Sequence, residues 1–182
     1  MIYVGRRASK EGWVSFESDP HLRKTKANVY ERCVPCLERL RNQLMEGRRE
    51  VELVEALHCW KVTAVLRDVE ECLRLLQLYS ERYPDHYVWG KFGTGRPQAP
   101  TRVVVFHAES EAERDLLLER VRRCAREIRP DVPVFVSRAC ANVYAELLGD
   151  WREWGPVTPI RRPEKVPELI QRLNRMLYYT GS

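Results

Sequence analysis

Cys59-Trp60-Lys61-Val62-Thr63-Ala64-Val65-Leu66-Arg67 is the stretch whose reading decides the fold. Trp60, Val62, Ala64 and Leu66 fall on one side of an extended chain, an alternation at period two that predicts a strand. Directly after it, Val69, Cys72, Leu73, Leu76 and Tyr79 recur at helical spacing and predict a helix from about Val69 to Tyr83, closed by Pro84-Asp85. His86 to Phe92 and Arg102 to Ala108 read as two further strands, and the Gly- and Pro-rich segment Gly93 to Pro100 between them reads as a loop. Glu111 to Arg129 repeats the helical pattern through Leu117, Val121, Cys124, Ala125 and Ile128, and Val132 to Ser137 supplies a fourth strand.

The order across residues 58–140 is thus β-α-β-β-α-β, which predicts an α+β protein built on a ferredoxin-like antiparallel sheet. Residues 1–57 read as an N-terminal extension. Met1 to Arg7 and Trp13 to Glu17 suggest an opening hairpin, followed by a helix whose apolar stripe is Val29, Cys33, Cys36, Leu37, Leu40 and Leu44. Asp19-Pro20 supplies a start signal, Gly47 a stop, and Pro35 an interruption at which the helix kinks or two helices meet. Residues 141–182 read as a C-terminal extension packing on the core. It holds a short helix at Tyr144 to Leu148, a Trp- and Pro-rich linker from Trp151 to Pro163, and an amphipathic helix carrying Val166, Leu169, Ile170, Leu173 and Leu177.

Composition narrows the function classes. The chain has 182 residues, 44% of them hydrophobic, and no stretch approaches the roughly 18 consecutive apolar residues of a bilayer span. No membrane association is expected. The segment around Tyr3, Arg6, Arg7 and Lys10 lacks the apolar core of a secretory signal, so a cytoplasmic protein is expected. Six scattered cysteines fit a reducing compartment better than a disulfide framework. The net charge of +5 and pI of 9.0 favour a polyanionic partner, and eleven Lys or Arg face seven Asp or Glu in the first 50 residues.

In a ferredoxin-like sheet the strands lie in the order 4-1-3-2, with one face under the two helices. Trp60, Val62, Ala64, Leu66, Val103, Val105, Val134 and Val136 are expected on the helix side. The opposite face is then expected to carry Lys61, Arg67, Tyr87, Trp89, Lys91, Arg102, Phe106 and Phe135. Bases stack on aromatic planes while Lys and Arg neutralise phosphates, so this face predicts a non-catalytic protein that binds single-stranded RNA or DNA. The RNP1 pattern of RNA-recognition modules is missing from Arg102 to Ala108. The candidate nucleic-acid-binding residues are Lys61, Tyr87, Trp89, Lys91, Arg96, Arg102 and Phe106, with Arg96 on the glycine-containing loop, where backbone N–H groups can approach an anion.

A second reading rests on histidines. His58, His86 and His107 are expected at strand ends on one edge of the sheet, where three ligands could hold zinc or another transition metal for a metal-dependent enzyme or a metal-binding regulator. Cys33-Val34-Pro35-Cys36 is the one close cysteine pair, half of a four-ligand zinc site, a redox motif or part of the apolar stripe. Walker, G-x-G-x-x-G, G-x-S-x-G and H-E-x-x-H motifs are missing, and no other cofactor is expected. A third reading is a ligand-sensing or oligomer-forming module, a homodimer joined through sheet edges.

Overall fold

The computed structural model describes residues 1–9, 11–93 and 98–178. Strands and helices alternate where the period-two and helical patterns alternate. In chain order the elements are β1 (Tyr3–Val4), β2 (Trp13–Glu17), α1 (Arg23–Ala27), α2 (Val34–Met45), β3 (Glu50–Glu52), β4 (Trp60–Leu66) and α3 (Val69–Arg82). There follow β5 (Trp89–Gly93), β6 (Arg102–Ala108), α4 (Glu111–Ile128), β7 (Val134–Arg138), α5 (Ala141–Leu148), β8 (Val157–Pro159) and α6 (Val166–Tyr178). The molecule is α+β. Among the described residues no helix is long and apolar enough to cross a membrane.

The chain divides into two compact units, each made of two separate stretches. The first comprises residues 1–26 and 60–137, and the second residues 27–59 and 138–182. The extension expected over residues 1–57 is therefore shared out, its hairpin joining the sheet and its long helix the second unit.

The first unit holds a six-stranded sheet in the order β1-β2-β5-β6-β4-β7, more elaborate than the four strands expected. The added strands are the N-terminal hairpin, whose β2 pairs antiparallel with β5 through five residue pairs from Trp13↔Gly93 to Glu17↔Trp89. Trp60, Val62, Ala64 and Leu66 are buried as their alternation predicts. In β6 the expected faces are reversed. Val62 lies opposite Phe106 and Ala64 opposite Val104, while Thr63 and Val65 lie opposite Val105 and Val103. Directly paired residues share a face, so Phe106 and Val104 point to the helices and Val103 and Val105 do not. The run Val103-Val104-Val105-Phe106 is apolar throughout and carries no period-two contrast, so the register with β4 alone decides its orientation.

α3 and α4 both pack on the Phe106 side. The Tyr79 ring of α3 lies 5.2 Å from that of Phe106, and the Arg114 guanidinium of α4 lies 4.3 Å over Trp60. The two helices start alike. Asp68 accepts from Glu71 N–H at 2.8 Å while the Glu71 carboxylate accepts from Arg67 N–H, and Ser110 accepts from Glu113 N–H at 3.2 Å while the Glu113 carboxylate accepts from Glu109 N–H. Each pairing satisfies donors that a helix start leaves over.

The second unit packs α2, α5 and α6 with the two-stranded ladder β3–β8 around Leu40, Leu44, Val51, Leu53, Leu147, Leu148, Leu169 and Leu173. The expected interruption at Pro35 is a π-helical turn over Asn28–Cys33 that runs on into α2, with the Val34 N–H bonded back to Val29 O, and this widened turn stands directly before the proline that lacks an N–H. Gly47, at φ +72°, ends α2. Its N–H donates to Leu44 O (3.1 Å) and that of Arg48 to Gln43 O (3.4 Å), the paired closing bonds for which a left-handed glycine is suited. The buried Gln43 side chain then brackets Glu52 of β3, donating to its carbonyl at 3.1 Å and accepting from its N–H at 2.8 Å.

Candidate nucleic-acid interface

The face of the sheet away from α3 and α4 is laid out in rows by the strand registers. One row runs Ser15, Lys91, Val105, Thr63; Trp13 lies opposite Gly93, and Val103 opposite Val65. The bond from Val65 N–H to Pro133 O (3.0 Å) places the start of β7 beside the end of β4 and sets Phe135 next to Thr63. Phe135 is 47% exposed. The Lys91 ammonium stands 4.4 Å from the centroid of the half-buried Trp13 ring, a cation held over an aromatic plane. Buried Val105 and Thr63 form the floor between Trp13 and Phe135.

The other end of this face is closed. Glu17 is fully buried and accepts from Lys24 N–H (2.8 Å), Thr25 N–H (2.9 Å), the Thr25 hydroxyl (2.7 Å) and the Tyr87 hydroxyl. Burial raises its pKa, but these four donors outweigh burial and hold the carboxyl below its ordinary value. With α1 fixed in this way, the Lys24 ammonium reaches 5.7 Å from the Trp89 ring and 3.2 Å from Glu109. Trp89 is 2% exposed and packs at 4.7 Å against His107.

The structure therefore sorts the expected binding residues. Lys61 and Lys91 are half-buried on the predicted face, Lys61 opposite His107. Tyr87 is exposed but lies before β5, which starts at Trp89 rather than at His86, and its hydroxyl is engaged by Glu17. Arg102 donates to Ala99 O (2.6 Å) and Thr101 O (3.0 Å). Arg96 lies outside the described residues. Three expectations are corrected: Arg102 lies opposite Leu66 and so on the helix side, Phe106 is core, between Phe16 and Tyr79, and Trp89 is on the predicted face but covered. Trp13 is the aromatic that takes their place. The alternation Trp13-Val14-Ser15-Phe16 is the signal that identifies it, once the hairpin is counted as part of the sheet.

The histidines have separate surroundings. His58 is exposed and ends a 3₁₀ turn of the second unit rather than starting β4. His86 Nδ1 is 2.6 Å from the Tyr79 hydroxyl, and burial, with Arg120 nearby, pushes its pKa down. His107 stacks on Trp89. Among the described residues no three His, Cys, Asp or Glu side chains are arranged to hold a metal ion. Cys33 and Cys36 are half-buried in the second unit. Asn28 Nδ2 lies 3.2 Å from Cys33 Sγ, and Cys36 Sγ is 2.8 Å from the Tyr144 hydroxyl. Burial pushes the Cys36 thiol up to about 12.

Compared with protein-family models, with curated proteins and with solved structures, the chain matches none.

Proposed function

We propose that this is a non-catalytic, cytoplasmic protein that binds single-stranded RNA or DNA on the face of its first unit's sheet away from α3 and α4, through Trp13, Lys91, Phe135 and Lys61. The observation that carries the reading is Lys91 over Trp13 at 4.4 Å, with the exposed Phe135 three strands along the same sheet. Two aromatic surfaces flank a flat floor, with an ammonium positioned to meet a phosphate between stacked bases. Charge distribution supports it. The first unit has nineteen Lys or Arg against fifteen Asp or Glu, whereas the second is nearly balanced at twelve against eleven.

The same reading takes β4-α3-β5-β6-α4-β7 as a ferredoxin-like core to which β1 and β2 are added at one edge. The inner order β5-β6-β4-β7 and the matched starts of α3 and α4 support it. The test is salt-dependent retention of the full chain on single-stranded RNA and DNA columns. Retention that falls with salt and is lost in Trp13→Ala with Lys91→Ala supports binding at this face, whereas absent or salt-independent retention refutes it.

A further inference from the structure

Four of the six cysteines meet in the second unit, although they come from three places in the sequence. Cys33 closes the π-helical turn and Cys36 lies in the first turn of α2, three residues on, so both occupy one helix face. Cys59 follows the 3₁₀ turn Val54–His58, and Cys140 is the residue before α5. The N–H of Ala139 donates to Cys59 O at 2.6 Å, which brings the last two side by side. All four line a single cavity of about 20 Å³, together with Glu55 and Tyr144. A cavity of roughly 10 to 15 Å³ suffices for one water-sized body, so this one has room for a single ion.

We propose that Cys33, Cys36, Cys59 and Cys140 form a binding site for one zinc-class divalent cation. Four sulfur ligands in a tetrahedron are the arrangement that soft thiolates offer zinc, and a Cys-x-x-Cys pair joined by two remote cysteines is a usual way to supply them. In the structure no three of these side chains are arranged to hold a metal ion. Binding exchanges the Cys36–Tyr144 hydrogen bond for a sulfur–metal bond and turns the thiols toward the cavity, each thiol losing its proton. Zinc with four thiolates carries two negative charges, and the Arg32 side chain that also lines the cavity offsets part of them.

Two further observations fit a site that is built rather than incidental. Ala139 is fully buried at φ +57°, a left-handed conformation that non-glycine residues avoid, and it holds the backbone turn between Cys59 and Cys140. The unit is also assembled from two stretches separated by residues 60–137. An ion bound by Cys33, Cys36 and Cys59 from the first stretch and Cys140 from the second would tie them together.

The test uses the full chain, reduced and freed of metal, then titrated with zinc or cobalt. One zinc per chain is expected after gel filtration, with a rise in Tm, and cobalt is expected to give the intense thiolate charge-transfer and tetrahedral ligand-field absorption. Cys33→Ser and Cys140→Ser each lose that absorption, whereas Cys72→Ser, in the first unit, keeps it. Less than about 0.2 zinc per chain with no cobalt–thiolate band overturns the proposal. So does a Cys140→Ser protein that keeps the full band. Wild-type stoichiometry and spectrum decide the matter even if a variant fails to fold.

Discussion

Phe16 and Phe106 meet edge to face across Gly90, their ring centroids 5.1 Å apart. Gly90 lies opposite both in the strand registers, and a Cβ there would stand 1.9 Å from Val105 O and 2.8 Å from the Phe16 ring. The contact that joins the N-terminal hairpin to the main sheet thus depends on a side chain that is missing.

Gly90→Ala forces the backbone or the ring to move. It is expected to lower stability by about 2 to 3 kcal/mol, as overpacking of a filled core does. Urea unfolding of the two proteins checks this; an unchanged midpoint would contradict the close approach.

Trp13 and Phe106 separate binding from folding. Trp13→Ala is expected to weaken single-stranded oligonucleotide binding by about 1 to 3 kcal/mol, the worth of one stacked base, with a stable fold. Phe106→Leu is expected to lower stability by about 1 to 2 kcal/mol and leave affinity unchanged, because Phe106 faces the helices. Fluorescence anisotropy titrations with matched unfolding curves distinguish the two.

Acid weakens the first unit in two steps. His86 has a lowered folded-state pKa, so its contribution is complete above its unfolded value near 6.5 and is lost as pH falls through the folded value. Glu17 is also lowered in the folded state. Its contribution is complete above about 4.3 and disappears as pH falls through its folded pKa. Tm measured against pH is expected to fall less between pH 7 and 5 in His86→Asn than in wild type. Glu17→Gln is expected to be less stable at pH 7 by about 1 to 3 kcal/mol and flatter below pH 5.

Gln43→Ala strips Glu52 of both of its side-chain partners. A loss of about 1 to 2 kcal/mol in the second unit is expected. Amide exchange at Glu52 N–H should quicken, while exchange in β4 and β6 stays as in wild type.

Strand β4, helices α3 and α4 and the terminal helix α6 were legible because their signal is local. Trp60 to Leu66 alternate within seven residues, and Val69 to Tyr79 repeat within three turns. The sheet face away from α3 and α4 is only half legible. Lys61, Lys91 and Phe135 sit in strands or beside partners that alternate, but Trp13 belongs to a hairpin whose attachment to β5 leaves no mark in either segment alone. Trp89 is on the predicted face, yet it is buried there, with the His107 ring at 4.7 Å and the Lys24 ammonium of α1 at 5.7 Å, contacts that no local pattern marks.

From sequence alone came the α+β class, the positions of most elements and the excess of positive charge, because periodicity and composition are properties of neighbouring residues. Tertiary structure decided what depends on pairing across distance. In β6 four consecutive apolar residues are equally compatible with either face until Val62 is set opposite Phe106. Likewise Cys33 and Cys36 are a lone pair until the chain returns with Cys140 to the same cavity. Register and long-range closure bring groups together through bonds that no local pattern encodes.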